Sequence, residues 1–466
     1  MTLHYKKNIE KKIAIISRDP VIAAALYNLM LAKTNVREIQ DYPSAVFICA
    51  KYNDENIAIA DGTVIAKKLG ADIAVVLDRE INKELSYNAL PVLEGLEKIK
   101  AEEIADIREY LSTATPPHNK QKEEKFNKTM ALIEKWADAL GELENNNLNI
   151  RPASTKQPNR ELLKKLKDPL RFENEGIIYG IGGLSAQSTV EIMSNYGMNY
   201  SGFGSKHDVA IIVDSITKTP NIAEKLEETL ESRTTNYPTP LPNLLKSSTN
   251  LDVINIPGTK AILCDTAHGL FPVLNTLSIN KMVNFIKEGM RSVPTAEQGK
   301  KQVAIVLATE ATKKSGIIEE AIKNLGRNDI EIYYPGPEQQ KDVNFSLWEL
   351  IMKGKKEEGG RLLKNAYTKT EEKMLNAMAD KNITIDDVFI NLGCTEAIIG
   401  FRAAGLNFGH GAKAIDNYVP AFEQAVLNSI AEFRKLKNEN EKISFAERVV
   451  KSRGGSFKET LNFIKF

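Results

Sequence analysis

Three cysteines, five histidines and two tryptophans are spread over 466 residues, and no apolar run approaches the roughly 20 residues that a membrane-spanning helix needs. Three thiols in so long a chain cannot build a disulfide framework, so a reducing compartment is expected. His207 and His410 are isolated histidines, and nothing in the sequence places them with a carboxylate or thiol to make a metal site. Neither sign of charge is in excess: 62 basic residues face 61 acidic ones for a net +1. No field is left for gripping nucleic acid or an anionic membrane, and neither is expected as a partner. Met1 to Lys12 is polar and carries no apolar signal core, so a cytoplasmic protein is expected.

What is present describes a globular chain, 42% hydrophobic and 26% charged, long enough for about three domains. Apolar runs of strand length alternate with longer amphipathic stretches, which predicts the α/β class with mainly parallel sheets. Strands are expected at Ile13–Ile16, Val46–Cys49, Ile73–Leu77, Ile177–Ile181, Val209–Val213, Ala261–Leu263, Val303–Leu307, Ile330–Tyr333 and Val388–Leu392. Between the first three and the rest, Phe126, Met130, Ile133, Trp136, Leu140 and Leu143 recur at spacings of three and four, one apolar helix face. The polar run Glu144–Gln157 follows it, and the pair reads as a helical spacer and linker. The first segment repeats the order of the second: strand, helix, strand, helix, strand. Leu77-Asp78-Arg79-Glu80 then stands where the later copy has Cys264-Asp265-Thr266-Ala267-His268. Chance similarity between strand-helix units competes with a duplication that has lost its site and now serves packing, dimerisation or regulation.

Two of the thiols end strand patterns and precede polar turns, in Ala261-Ile262-Leu263-Cys264-Asp265-Thr266-Ala267-His268 and Phe389-Ile390-Asn391-Leu392-Gly393-Cys394-Thr395-Glu396. Strand C-termini are where open α/β sheets bind ligands. Two thiols facing one substrate from opposite sides suit inversion at an acidic carbon, one removing a proton while the other delivers one. A thiolate base needs a helix start or nearby donors, which both turns offer. The amides and hydroxyls of Thr266 and Thr395 can hold a carboxylate, and Gly182-Gly183 lets backbone approach an anion closely. A dinucleotide turn at Gly-Ile-Gly-Gly lacks the spacing of the third glycine. Each site residue also has a plainer reading: buried cysteine is a common core residue, which is the reading given to Cys49, His268 fits a helix start, and Glu396 can cap a helix.

From Gly176 to about Phe433 the chain resembles the cofactor-independent aspartate/glutamate racemase superfamily, closest to its aspartate racemase branch. The resemblance is carried by Tyr179-Gly180-Ile181-Gly182-Gly183-Leu184 with Ser188-Thr189, by Cys264-Asp265-Thr266-Ala267-His268, and by Leu307-Ala308-Thr309-Glu310-Ala311-Thr312 with Ser315-Gly316. Glu338-Gln339-Gln340-Lys341-Asp342-Val343 leading to Lys353-Gly354, and Gly393-Cys394-Thr395-Glu396 with Asp416 beyond, complete it in family order. It implies two pseudo-symmetric α/β domains with one catalytic cysteine each, Cys264 and Cys394, and the substrate between them. It also implies substrate contacts at Gly182, Gly183, Thr189, Asp265, Thr266, Ala267, Thr312, Lys353, Thr395 and Glu396, and no cofactor.

The domains expected are 1–115, a degenerate racemase-like α/β domain; 116–172, the spacer and linker; 173–298 with 412–466, carrying Cys264; and 299–411, carrying Cys394. The partner expected is an amino acid or related small carboxylate, and an apolar face on the first domain allows a homodimer. Two departures bear on the substrate. Asp265 stands where the aspartate racemase pattern has Asn, placing a carboxylate beside the thiol. Ser215–Ala223 has Asn221 where that pattern has an arginine for the side-chain carboxylate, and Lys218 is a point charge rather than a bidentate fork. Turnover by a racemase or epimerase, a racemase-derived binding or regulatory protein, and a related isomerase or lyase with one nucleophilic cysteine are the readings left open.

Overall fold

Strands form where the sequence has no polar face to offer. Ile13-Ala14-Ile15-Ile16 has none, and every residue of β1 (Ile13–Ser17) is buried, as are those of β3 (Ile73–Val76) and β12 (Val388–Leu392). Strands covered on both faces belong to parallel sheets flanked by helices. The computed structural model describes residues 11–33, 44–50, 55–79, 89–94, 96–100, 103, 120–143, 149–154, 160–168, 175–181, 190, 191, 193, 208–214, 258–263, 282–381, 383–405, 413–415 and 417–453.

The other strands are β2 (Ala45–Ala50), β4 (Val92–Leu93), β5 (Ile150–Arg151), β6 (Glu175–Ile181), β7 (Asp208–Asp214), β8 (Thr259–Leu263), β9 (Met282–Val283), β10 (Gln302–Leu307), β11 (Ile330–Tyr333) and β13 (Lys413–Ile415). All nine expected strands are present within a residue or two at each end. β4, β5, β9 and β13 were not expected, being two or three residues long and too short to show a period. The helices are α1 (Pro20–Lys33), α2 (Glu55–Lys68), α3 (Lys120–Gly141), α4 (Arg160–Lys167), α5 (Phe285–Ser292), α6 (Glu310–Ser315), α7 (Ile317–Asn324), α8 (Pro337–Phe345), α9 (Lys356–Ala377), α10 (Thr395–Ala403), α11 (Tyr418–Arg434) and α12 (Glu439–Arg453).

The strands form two sheets, ordered β5-β4-β3-β1-β2-β7-β6-β8-β9 and β11-β10-β12-β13. One order occurs three times. In β2-β1-β3-β4, β7-β6-β8-β9 and β11-β10-β12-β13 the first strand of each set is central, the second lies on one side, and the third and fourth lie on the other. Every pairing inside these sets is parallel. We call the sets units 1, 2 and 3. Units 1 and 2 meet edge to edge, β2 antiparallel to β7 with Phe47 opposite Val213 and Cys49 opposite Ile211. Their sheet is therefore continuous across the boundary expected between a first domain and the Cys264 domain.

The helix expected to be a spacer is instead a wall of unit 1. Phe126, Ile133, Trp136 and Leu140 are buried, and α3 packs on α1. The reason lies in α1, whose residues from Pro20 to Tyr27 are all buried, so that the sheet covers one side and something else must cover the other. Trp136 donates its indole N–H to the Glu97 carbonyl at 3.2 Å. β5, inside the expected linker, pairs antiparallel with β4, and Arg151 meets Glu94 at 3.3 Å.

The chain passes from unit 2 to unit 3 after α5 and returns after β13. Lys413–Ile415 pairs with β12 and so belongs to unit 3, whereas α11 packs on β6, β8 and α5. Lys260 on β8 holds Glu432 on α11 at 2.7 Å. Arg327 clamps the outgoing loop after α5, donating to the carbonyls of Val293 at 2.6 Å and Pro294 at 3.0 Å and to both oxygens of Asp329 at 2.8 Å. α12 packs on α4 and α2, which brings the C-terminal helix back to unit 1.

Candidate functional site

In unit 3 the strand order reverses between β10 and β12, and their C-terminal tips carry the polar side chains. Gly393 continues β12, its N–H donating to the Leu307 carbonyl at 3.0 Å. A Cβ there would stand 2.9 Å from Ala308 Cβ, so only glycine lets the two tips close together. Cys394 is the N-cap of α10 in extended backbone, and Thr395 and Glu396 form the first turn. All three are buried, Cys394 at 1% exposure, Thr395 at 0% and Glu396 at 2%. The thiol donates to Glu396 Oε2 at 2.9 Å. A carboxylate sealed from water beside a thiol is a proton acceptor in hydrogen-bond reach, and the helix start adds a field that favours negative charge.

On the facing tip, Thr309 caps α6, its Oγ1 accepting from the Thr312 N–H at 3.2 Å and lying 3.0 Å from the Thr312 hydroxyl. Both threonines are buried. Thr312, expected to meet substrate, thus shares its hydroxyl with Thr309. Gln340 on α8 donates to the Ala308 carbonyl at 2.9 Å and to Asn344 Oδ1 at 3.0 Å, and Asn344 Oδ1 also receives the Glu310 N–H at 3.2 Å. Gln340 Oε1 is buried and accepts no hydrogen bond among the described residues. Lys353 pairs with Glu349 at 2.5 Å, with both side chains about half exposed.

Supports for this site that the sequence did not single out come from three directions. Asn417, at the start of α11, faces Asn391 of β12 across a buried amide pair at 3.3 and 3.4 Å and donates to the Leu392 carbonyl at 3.5 Å. Gly289 of α5 makes room for it, since a Cβ there would stand 1.8 Å from Asn417 Oδ1. Arg402, in the last turn of α10, pairs with Glu191, so the helix that begins at Cys394 ends on unit 2. Each of these supports is a single residue within an otherwise apolar strand or helix stretch, which leaves no period in the sequence to read.

Cys264, Asp265, Thr266, Ala267, Gly182, Gly183 and Thr189 lie outside the described residues, as does Asp416. β8 and β6 end side by side at Leu263 and Ile181, just before Cys264 and Gly182. Among the described residues no group of three or more His, Cys, Asp and Glu is placed to hold a metal ion, and no helix is long and apolar enough to cross a membrane.

The third cysteine is of another kind. Cys49 sits in β2, buried; its burial, and next the Asp78 carboxylate, push its thiol far up, against a smaller opposing effect of Arg79. It remains a protonated core residue.

No family model and no curated protein matches this chain. Among solved structures it is similar to glutamate racemase isoform RacE1 from Bacillus anthracis, at 15% identity and a TM-score of 0.32, covering 55% of this chain and 82% of that one. It is also similar to glutamate racemase from Francisella tularensis subsp. tularensis SCHU S4 in complex with D-glutamate, at 17% identity and a TM-score of 0.31, covering 57% of this chain and 84% of that one.

Proposed function

We propose that the chain is a cofactor-independent amino-acid racemase of the aspartate/glutamate type, with Cys394 and Cys264 as opposed acid and base. The observation that carries the reading is the buried Cys394 thiol at a strand tip and helix start, hydrogen-bonded to the buried Glu396 carboxylate. As a thiolate, Cys394 takes the α-proton, leaving the electron pair on the α-carbon and its carboxylate, and the Cys264 thiol returns a proton to the opposite face. Reversal of direction swaps the two roles. Glu396 holds the thiol proton while Cys394 is the base, and the Thr395 amide at the start of α10 faces the negative charge that develops on the substrate carboxylate. With Asp265 next to Cys264 in the sequence and no arginine at Asn221, the substrate class is an amino acid or related small carboxylate rather than aspartate in particular.

The test is exchange of the α-proton with solvent deuterium across acidic and neutral amino acids. One substrate should exchange from both enantiomers. Cys394→Ser or Cys264→Ser should abolish racemisation while leaving exchange from a single enantiomer, because one thiol still meets one face. Full racemisation by both single variants, or no exchange by the native protein on any substrate, overturns the reading.

A further inference from the structure

Both crossings of the chain between units 2 and 3 come together on the strand that leads to Cys394. The outgoing crossing follows α5 and the returning one follows β13, and α11 packs on α5 as well as on β6 and β8. β8 is the strand that leads to Cys264. Asn417, two residues past β13, therefore begins a helix laid on one cysteine-bearing strand while its side chain meets the other.

That meeting is polar where apolar residues would pack at less cost. Asn391 is the one polar residue of Val388–Leu392, and it and Asn417 are both 0% exposed. Burying an amide is unfavourable unless its groups are satisfied, and asparagine is disfavoured within strands. The two amides satisfy each other: Asn391 donates to Asn417 Oδ1 at 3.4 Å, and Asn417 donates to Asn391 Oδ1 at 3.3 Å. Asn417 also reaches the Leu392 carbonyl at 3.5 Å. A satisfied polar pair in a core specifies one placement of the two backbones, which sliding apolar side chains do not. The unit 2 side is built to admit it. α5 carries Gly289 in its interior, where alanine is intrinsically preferred, and a Cβ there would stand 1.8 Å from Asn417 Oδ1 and 3.0 Å from Asn417 Cα. On the unit 3 side the pair abuts the strand tip, since Asn391 Oδ1 lies 3.5 Å from where a Cβ of Gly393 would stand. Cys394 follows directly.

We infer that Asn417 and Asn391 are positioning residues for the racemisation proposed above, a buried amide clasp that sets the Cys394 tip of unit 3 against α11 and so against the strand that leads to Cys264. They act through Leu392, Gly393 and the Cys394 backbone rather than on the substrate. The inference rests on the racemase reading, because only inversion needs two thiols at once. Removal and return of a proton on one face need a single thiol, so a loosened tip separates the two activities.

The test compares inversion with α-proton exchange in full-length Asn417→Ala, on the amino acid that the native protein turns over. Inversion should fall about tenfold, as for a misplacement of a fraction of an ångström, while exchange with retention from the enantiomer that Cys264 meets stays within about twofold. A loss of packing alone lowers both together. Removing one amide leaves the other buried and unsatisfied, so the double variant Asn391→Ala with Asn417→Ala, which orphans neither, should show the same split and decides the matter should the single variant fail to fold. Gly289→Ala, which displaces the Asn417 side chain from the unit 2 side, should show it as well. Amide hydrogen exchange at Gly393, whose N–H donates to the Leu307 carbonyl, needs no turnover and should be about tenfold faster in these variants. Equal loss of inversion and exchange, native inversion in the double variant, or unchanged Gly393 exchange overturns the proposal. A native protein with no α-proton exchange on any amino acid overturns the racemase reading instead, and the Gly393 exchange alone then upholds or overturns the clasp.

Discussion

Replacing Gly360 by alanine sets two effects against each other, and the structure decides which wins. Gly360 lies inside α9, where alanine is intrinsically better by about 0.5–1 kcal/mol, so helix propensity alone expects a more stable protein. A Cβ at Gly360, however, would stand 2.4 Å from the Gly400 carbonyl oxygen and 3.0 Å from the Ala404 nitrogen, both backbone atoms of α10 or its cap. Contacts below 3.0 Å are essentially never made by real Cβ atoms, so α9 and α10 must separate by about 0.6 Å, the difference between 3.0 and 2.4 Å. No side chain can rotate away to absorb it. Overpacking of this kind costs about 1–3 kcal/mol, which at mid-range outweighs the propensity and leaves a net loss of about 1 kcal/mol. Because α10 starts at Cys394, the same shift displaces the thiol and Glu396, and misplacements approaching 1 Å cost up to about 10²-fold in rate, so roughly tenfold slower α-proton exchange is expected. Urea unfolding at unchanged m-value reads the first number and deuterium exchange the second. Gly62→Ala is the internal control: its nearest contact is the flexible end of Ile16 at 3.2 Å, and stability should hold or rise. A Gly360→Ala protein as stable as or more stable than the native one, with full exchange activity, refutes the close approach of the two helices.

Glu396→Gln should lower kcat by about 10²-fold with little change in KM, since it removes a proton acceptor without removing the Thr395 amide; an unchanged kcat assigns Glu396 to capping alone. Arg327, chiefly through its hydrogen bonds, holds the Asp329 carboxyl well below the usual carboxylate range. A depressed acid stabilises the fold above its unfolded value of about 3.9 and loses that contribution as pH falls through the lowered folded value. The stability gap between native protein and Asp329→Asn should therefore be constant above about pH 5 and shrink in stronger acid, as measured by urea midpoints across pH; a gap that grows in acid refutes the assignment. Removal of residues 1–171 strips β2 from β7 and bares an edge strand rich in isoleucine and valine. That truncation should aggregate or self-associate in light scattering, and a soluble monomer would show that β7 needs no cover.

Much of this was legible in the sequence because long apolar runs leave few alternatives. Val303–Leu307 and Val388–Leu392 have no second face to offer to water, so they could only be buried parallel strands, and the turn after the second held its cysteine where a helix starts. What stayed hidden is of two kinds. Strands such as Met282–Val283 or Lys413–Ile415 are too short for a period to show. Pairings between distant segments carry no local signal at all: nothing near Trp136 says that its helix rests on α1, and nothing near Arg402 names Glu191. The Cys394–Glu396 contact was half visible. Two residues apart, thiol and carboxylate could meet or diverge, and the N-cap geometry of Cys394 lets them meet.

The antiparallel join of β2 and β7 explains why a repeat of one strand order need not repeat one chemistry. Side by side and parallel, two units would share an edge, and their strand tips would compete for the same ligand. Joined antiparallel, they share only a seam of backbone hydrogen bonds, from Val46 opposite Asp214 to Ala50 opposite Ala210, and their tips face away from each other. Substitution at one set of tips then leaves the other in place. Asp78 and Arg79 occupy the slot that holds Cys394 in unit 3, and Cys49, whose thiol Asp78 influences, is kept protonated by burial and by Asp78 itself. A carboxylate beside a buried thiol serves proton transfer only where a helix start balances the charge, as at α10. Cys49 lies within β2 and has no such helix start, and the same pairing makes it inert. The difference between the two thiols is thus set by which residue of the strand carries the sulfur, one inside it and one just past its end.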